Sequence, residues 1–177
     1  MNRIEELVRS HIRDVPDFPK EGIVFKDITP LLEDSQACNE IVDHLVADYA
    51  EQKIDAVVGI ESRGFLFGFP LALRLGVPFI PIRKKGKLPA RTLSYKYDLE
   101  YGSAEMEVHE DSIQPGWNVL IHDDLLATGG TAAAAAELVK MREANVVAYN
   151  FIIELEFLKG REKLKDNEGK IITLAAY

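Results

Sequence analysis

Cysteine is nearly absent: Cys38 stands alone in 177 residues. That excludes an intramolecular disulfide and a cysteine-rich zinc site, and a reducing, cytoplasmic setting is the expectation. Long apolar runs are missing as well, since no 18 consecutive residues are apolar and the first eighteen, Met1 to Phe18, break every short apolar run with charge. Neither a membrane-spanning helix nor a signal peptide is expected. Cations are outnumbered, with 21 Lys and Arg against 29 Asp and Glu for a formal charge of −8. Such a balance repels a polyanion, so no nucleic-acid partner is expected. The chain also lacks G-x-x-x-x-G-K-[ST] and G-x-G-x-x-G, the patterns of P-loop kinases and dinucleotide enzymes. His11, His44, His109 and His122 form no H-E-x-x-H pattern and read as structural, as does Cys38 on an apolar helix face.

What remains is about one domain's length with 47% hydrophobic composition, enough for a core that needs no staples. Ile4, Leu7, Val8 and Ile12 share one helix face, and the run from Val15 to Gly22, with two prolines, stops that helix and opens a structured loop. Asp34 or Ser35 caps a second helix in which Ala37, Ile41, Leu45 and Tyr49 recur every four residues, ending near Lys53. Asp55 to Ile60 is a short β-branched run, Gly64 to Leu75 is helical, and Val77 to Ile82 is a second strand. From Arg83 to Tyr101 the periodicity fails, and a long mobile loop over about 83–102 is expected. Ala104, Met106 and Val108 alternate with polar residues as in an antiparallel or edge strand. A strand from Trp117 to Ile121, an alanine-rich helix from Thr131 to Arg142 and a strand from Val146 to Leu155 follow, and Ile171 to Leu174 can close the sheet. The reading is a single α/β domain over 1–177, with a mostly parallel central sheet flanked by helices on both faces.

The segment richest in chemistry runs from Val119 to Ala132. An apolar strand leads into Asp123 and Asp124, and the turn Ala127-Thr128-Gly129-Gly130-Thr131 opens a helix. Ligands bind at the carboxyl ends of parallel strands, where glycines turn successive N–H groups into one concavity and a helix start adds unpaired donors. A phosphate monoester suits that cradle. Ionised Asp123 and Asp124 only accept hydrogen bonds, so they suit the vicinal hydroxyls of a ribose. The bland alternative is a solvated strand end followed by an ordinary capped turn.

Carried by these residues, the chain resembles the type I phosphoribosyltransferases, most of all those that use adenine. The resemblance extends to Asp17-Phe18-Pro19, Gly22 to Pro30, Gly59 to Gly68, Arg83 to Pro89, Leu99-Glu100-Tyr101-Gly102 and Leu158 to Leu164. His122, where an aliphatic residue is usual, and Glu21, where proline is usual, depart from it. The resemblance implies a small N-terminal base-binding hood over about 1–34. It implies the reaction of adenine with 5-phosphoribosyl 1-pyrophosphate to give AMP and pyrophosphate, in a homodimer, with Mg²⁺ held mainly by substrate and water and by no protein metal site.

Roles follow residue by residue. Ala127, Thr128, Gly129, Gly130 and Thr131 would hold the 5′-phosphate, and Asp123 and Asp124 the ribose. Ser62 and Arg63, at a helix start, would hold pyrophosphate as charge develops there, with Arg63 counted as catalytic. Lys84 and Lys87, from the cationic run Arg83 to Arg91, and Tyr101 would join them, although such runs are often merely solvated. Phe25 would cover the purine face or else plug the core, while main-chain groups of Val24, Phe25 and Lys26 read the adenine edge. Glu100 would be the catalytic acid/base, or failing that a solvated carboxylate. A cis peptide between Glu61 and Ser62 is left open by sequence. Other readings kept are a phosphoribosyltransferase for xanthine, hypoxanthine or orotate, and a non-catalytic regulator that senses the sugar phosphate.

Overall fold

The computed structural model describes residues 2–98, 102–165 and 169–177. Helix α1 spans Arg3–His11, and the Asn2 side chain caps it by accepting from the Glu5 N–H at 2.8 Å. Strand β1 (Arg13–Pro16) then pairs antiparallel with β2 (Val24–Asp27), placing Val15 opposite Phe25. Sequence periodicity missed this small sheet, because four-residue strands are too short for alternation to show. Between them Asp17 accepts from the Gly22 N–H at 2.7 Å. A short helix α2 (Thr29–Glu33) leads into α3 (Ser35–Asp48), whose N-terminal N–H groups are capped by Asp34. Helix α3 ends five residues before the expected Lys53.

The central sheet is built from β3 (Ala56–Ile60), β4 (Phe79–Lys84), β5 (Thr92–Asp98), β6 (Ser103–His109), β7 (Asn118–Leu126), β8 (Asn145–Glu154) and β9 (Lys170–Ala176). Its order is β5-β6-β4-β3-β7-β8-β9. The five strands from β4 to β9 in that order are parallel, and the β5–β6 hairpin is joined antiparallel at one edge. Helix α4 (Gly64–Leu75) connects β3 to β4, and α5 (Gly130–Met141) connects β7 to β8. Alternation along the strands sends Val57 and Leu120 to a core shared with Ile41, Leu45, Phe67 and Leu71. Their neighbours Val58 and Ile121 enter the opposite core, against Ala135 and Leu138 of α5. Each large apolar side chain buried there contributes about 1.5–3 kcal/mol.

The expected loop over 83–102 is corrected. Residues 92–98 form β5, paired along its length with β6 from Thr92↔His109 to Asp98↔Ser103. Leu93, Tyr95 and Tyr97 pack onto the buried core from this hairpin, an alternation masked in the sequence by the intervening Ser94, Lys96 and Asp98. The acidic pair is also relocated, since β7 continues to Leu126 and holds Asp123 and Asp124 within the strand.

The crossover from β3 leads to one side of the sheet and that from β7 to the other, so the order reverses between these two neighbours. Crevices at such switch points take ligands. Here the approach is close: a methyl group added at Gly64 would lie 2.8 Å from the His122 carbonyl oxygen and 3.1 Å from Asp123 Cα. Backbone cannot swing aside as a flexible side chain does, so Gly64→Ala should destabilise the fold by about 1–3 kcal/mol, the usual cost of overpacking. Urea unfolding checks this, and an unchanged midpoint would mean that α4 sits less tightly on β7 than described.

Candidate active site

At the carboxyl end of β7 the chain makes the turn Ala127-Thr128-Gly129 and enters α5. Gly129 has φ +78°, a left-handed conformation that favours glycine, and accepts the Ala133 N–H at 2.9 Å through its carbonyl. The turn is clamped from behind by a 3₁₀ segment, Gly160–Leu164. A Cβ at Gly129 would stand 2.4 Å from the Gly160 carbonyl oxygen, and one at Gly160 would stand 2.3 Å from that of Ala127. Arg161 fixes this segment by donating to buried Glu154 at 2.6 and 2.8 Å and to the Thr173 hydroxyl at 2.9 Å. A hollow of about 60 Å³ remains, lined by Asp123, the 125–132 turn and Phe151. From β5, the Tyr97 hydroxyl reaches to 3.4 Å from that of Thr131.

The acidic pair is not at a solvent-facing strand end. Asp124 is 3% exposed, and its Oδ2 lies 2.9 Å from Arg63 Nε. Asp123 is half-buried, with its Oδ1 accepting the Asp124 N–H at 2.9 Å. Burial and the neighbouring Asp124 charge hold the Asp123 carboxyl well above the usual carboxylate range, and burial also pushes Asp124 up against the pull of Arg63. The pair is therefore poorer in charge than two ordinary carboxylates. Arg63 does more than pair with Asp124, because its guanidinium carbon lies 5.3 Å from the centre of the Phe25 ring. Phe18 meets that ring edge-on at 5.2 Å. Phe25, Arg63 and Asp124 thus form one line of contacts from the two-stranded sheet to the end of β7.

On the β3 side, the Glu61–Ser62 peptide is cis and Ser62 is exposed. Glu61, which sequence reasoning passed over, accepts from Arg83 Nε at 3.0 Å and from the Lys84 N–H at 3.1 Å. Glu107 was missed too. Buried on β6, it accepts from the N–H groups of Lys87 and Leu88 at 2.9 and 2.8 Å and from the Thr92 hydroxyl at 3.1 Å. Burial alone would raise its carboxyl, but these donors outweigh burial and hold it below the usual range. The apolar-polar alternation of β6 put Glu107 on the solvent side, so its one available signal pointed away from burial. Arg83 closes the frame by donating to the Lys87 carbonyl at 3.2 Å. The side chains of Lys84 and Lys87 are exposed and have no ion pair among the described residues.

Val24 is half exposed, and Lys26 donates its ammonium to Asp14 at 2.6 Å. Glu100 and Tyr101 lie outside the described residues. His122, the departure from the resembled pattern, is fully buried, with Nδ1 2.7 Å from Asn150 Oδ1.

A parallel sheet with a phosphate-type turn, an acidic pair and an arginine at its switch point defines a class, the phosphoribosyl transfer enzymes, and comparison bears this out. The family described as the phosphoribosyl transferase domain matches residues 29–173, and the chain belongs to it. An adenine phosphoribosyltransferase of Cytophaga hutchinsonii is 52% identical over 161 residues, covering 91% of this chain and 89% of its own length. The crystal structure of adenine phosphoribosyltransferase from Thermoanaerobacter pseudethanolicus superposes with a TM-score of 0.93 at 50% identity, over 98% of this chain and 99% of that one. The Saccharomyces cerevisiae adenine phosphoribosyltransferase, solved with an imino-altritol bisphosphate and adenine, gives a TM-score of 0.90 at 46% identity, over 97% and 98%.

His122 generates a prediction of its own. Desolvation pushes the ring down from 6.5 to about 4, against the Asn150 hydrogen bond, which favours the charged form. Between those pH values the unfolded chain binds the additional proton, so stability is lost as pH falls from 6.5 towards 4, by roughly 3 kcal/mol in full. His122→Leu removes that component. Urea melts at pH 7 and pH 5 should show a smaller acid loss for the variant than for the parent, and equal losses would place the histidine charge elsewhere.

Proposed function

We infer that the chain transfers the 5-phosphoribosyl group from 5-phosphoribosyl 1-pyrophosphate to N9 of adenine, giving AMP and pyrophosphate. The observation that carries this reading is the line Phe25–Arg63–Asp124, which ends on β7 three residues before the Ala127–Thr131 turn and so links a base-stacking ring, a cation and the strand that leads into a sugar-phosphate cradle.

The 5′-phosphate sits on the N–H groups of the turn and the start of α5, with the Thr128 and Thr131 hydroxyls adding donors. The ribose hydroxyls donate to Asp123 and Asp124. As the C1′–O bond to pyrophosphate breaks, positive charge spreads over C1′ and the ring oxygen, while negative charge gathers on the leaving group. The Ser62 and Arg63 end of β3, Lys84 and Lys87 receive that charge. Arg63 cannot do so while it covers Phe25 and pairs with Asp124, so the pyrophosphorylated sugar draws the guanidinium over and uncovers the ring for adenine. The main-chain groups of Val24, Phe25 and Lys26 that β1 leaves unpaired meet the N6 amino group and ring nitrogens. A 6-oxopurine would set carbonyl against carbonyl there, at a cost of about 1–3 kcal/mol.

Magnesium enters with the pyrophosphorylated sugar. Its hard-oxygen preference is met by substrate phosphate oxygens and water, because Asp124 is engaged by Arg63 and burial holds the Asp123 carboxyl above the usual carboxylate range. When bound, the ion supplies charge neutralisation on the phosphates. The assembly is a homodimer. Supporting it, Leu66, Phe69 and Leu73 recur on one face of α4, with Phe69 50% and Leu73 63% exposed, an apolar stripe suited to a second copy. No helix among the described residues is long and apolar enough to cross a membrane, and we place the enzyme in the cytoplasm.

Incubating the protein with the pyrophosphorylated sugar, Mg²⁺ and each of adenine, hypoxanthine, guanine, xanthine and orotate tests the function, with AMP as the expected product and a different nucleotide, or none, as the refuting one. Phe25→Ala should raise the KM for adenine by roughly 10-fold, the scale of one lost base–aromatic stack, with little change for the sugar. Equal losses for both substrates with a lowered Tm would make Phe25 a core plug.

Attack by N9 requires a free lone pair there, so adenine binds with its proton on N7, and a carboxylate beside N7 takes that proton as charge develops in the ring. Glu100 supplies it. Glu100→Gln retains size and hydrogen bonding but not basicity, so kcat should fall by roughly 10²–10⁴ while sugar binding holds. A single-turnover rate equal to the parent's would remove Glu100 from this role.

A further inference from the structure

We propose that Tyr177 is a positioning residue for the base site, fixing Lys26 and through it the strand that carries Phe25. This rests on the reading of Phe25 as the adenine-stacking residue. The small β1–β2 sheet stands apart from the seven-stranded sheet, and an isolated pair of short strands is marginal in water. Something outside it must set its place. Two of its bridges are internal, Arg13 with Asp27 at 2.6 Å and Lys26 with Asp14 at 2.6 Å, and these stiffen the pair without anchoring it. Asp27 bonds to Thr29 two residues on, at the start of α2, and the two long-range contacts that reach outward are Phe25 to Arg63 and Lys26 to Tyr177. The first is given up when Arg63 turns to pyrophosphate. The second survives substrate binding.

Tyr177 is built to serve as the fixed end. Its N–H donates to the Glu154 carbonyl at 2.8 Å and its own carbonyl accepts from the Glu156 N–H at 2.9 Å, which ties it to the rigid end of β8. The ring lies 4.1 Å from the Lys26 ammonium and 4.6 Å from the guanidinium carbon of Arg9, both inside cation–π range. Arg9 is held in turn by Glu5 at 3.0 Å and donates to the Ala176 carbonyl. The Tyr177 hydroxyl is buried with no partner among the described residues. The electron-rich ring is thus the part in use, and the hydroxyl is dispensable.

Tyr177→Leu keeps an apolar side chain and removes the ring face. The KM for adenine should rise roughly 2–30-fold, the factor equivalent to one cation–π contact, while kcat and the KM for the pyrophosphorylated sugar stay within about twofold. Tyr177→Phe should match the parent, because the ring remains. Lys26→Met should reproduce the adenine loss, and combining it with Tyr177→Leu should add little. Amide hydrogen exchange supplies a readout independent of turnover: the Leu variant should exchange faster at Val24 to Asp27 and unchanged in β3 and α5. Should the Leu variant fail to fold, the Phe and Met variants decide. Equal rises in both KM values, a Phe variant as impaired as Leu, a Met variant at parental KM, or unchanged exchange in β2 would each overturn the proposal. A parent that makes no AMP would instead refute the function while leaving the exchange result to judge the anchor.

Discussion

Everything at the site depends on how near the first residue of α4 comes to β7. Gly64 lies against the His122 carbonyl and Asp123, so the two loops that leave β3 and β7 in opposite directions begin within reach of each other. A side chain at 64 would separate them. Because they touch, Arg63, one residue earlier, meets Asp124 at 2.9 Å, and a group delivered by one crossover faces a group delivered by the other. The same economy operates on the far side of β7, where Gly129 and Gly160 stack backbone on backbone and the phosphate turn is set by main-chain contacts. In a close-packed interior such contacts yield little, and the ligand meets donors already in place.

Charge is distributed with the same logic. The chain carries −8 overall, yet its anions near the site mostly serve as acceptors for backbone. Glu61 holds the Lys84 N–H, and Glu107 holds those of Lys87 and Leu88. These carboxylates bind the main chain while the side chains of the same lysines stay exposed, which suits the pyrophosphate role we propose for them. Glu61 also takes Arg83, and Asp124 takes Arg63 directly. The Arg63–Asp124 pairing lowers the cost of burying a carboxylate, and on the function we propose it holds the guanidinium until pyrophosphate arrives.

Legibility in the sequence followed length and period. Helix α4 was readable to the residue, from Gly64 to Leu75, and α5 to within one, because apolar residues recur over three turns and a glycine marks an end of each. The Ala127–Thr131 turn was readable because glycine, threonine and a helix start coincide. The β1–β2 sheet was not, since four-residue strands carry no period, and β5 was hidden because its outward Ser94, Lys96 and Asp98 resembled a polar loop. Asp124 was misjudged for a different reason. A charged residue reads as exposed unless its partner is known, and Arg63 lies 61 positions away along the chain.

The two halves of the site consequently differ in kind. The half we assign to the sugar phosphate is made from the ends of β3 and β7 and the start of α5, elements whose side chains fill both cores. Any change there is transmitted to the fold, through glycines that admit no Cβ and through a buried histidine next to the acidic pair in β7. The base half is a pair of four-residue strands whose exposed Val24 and half-buried Phe25 contribute little to either core. On the function we propose, selectivity among bases lies in an element that stability does not constrain, and affinity for the pyrophosphorylated sugar in one that it does. Substitutions in β2 can alter which base is accepted at small cost in stability, whereas altering the sugar subsite requires remaking the contact between α4 and β7 on which the sheet's switch point stands.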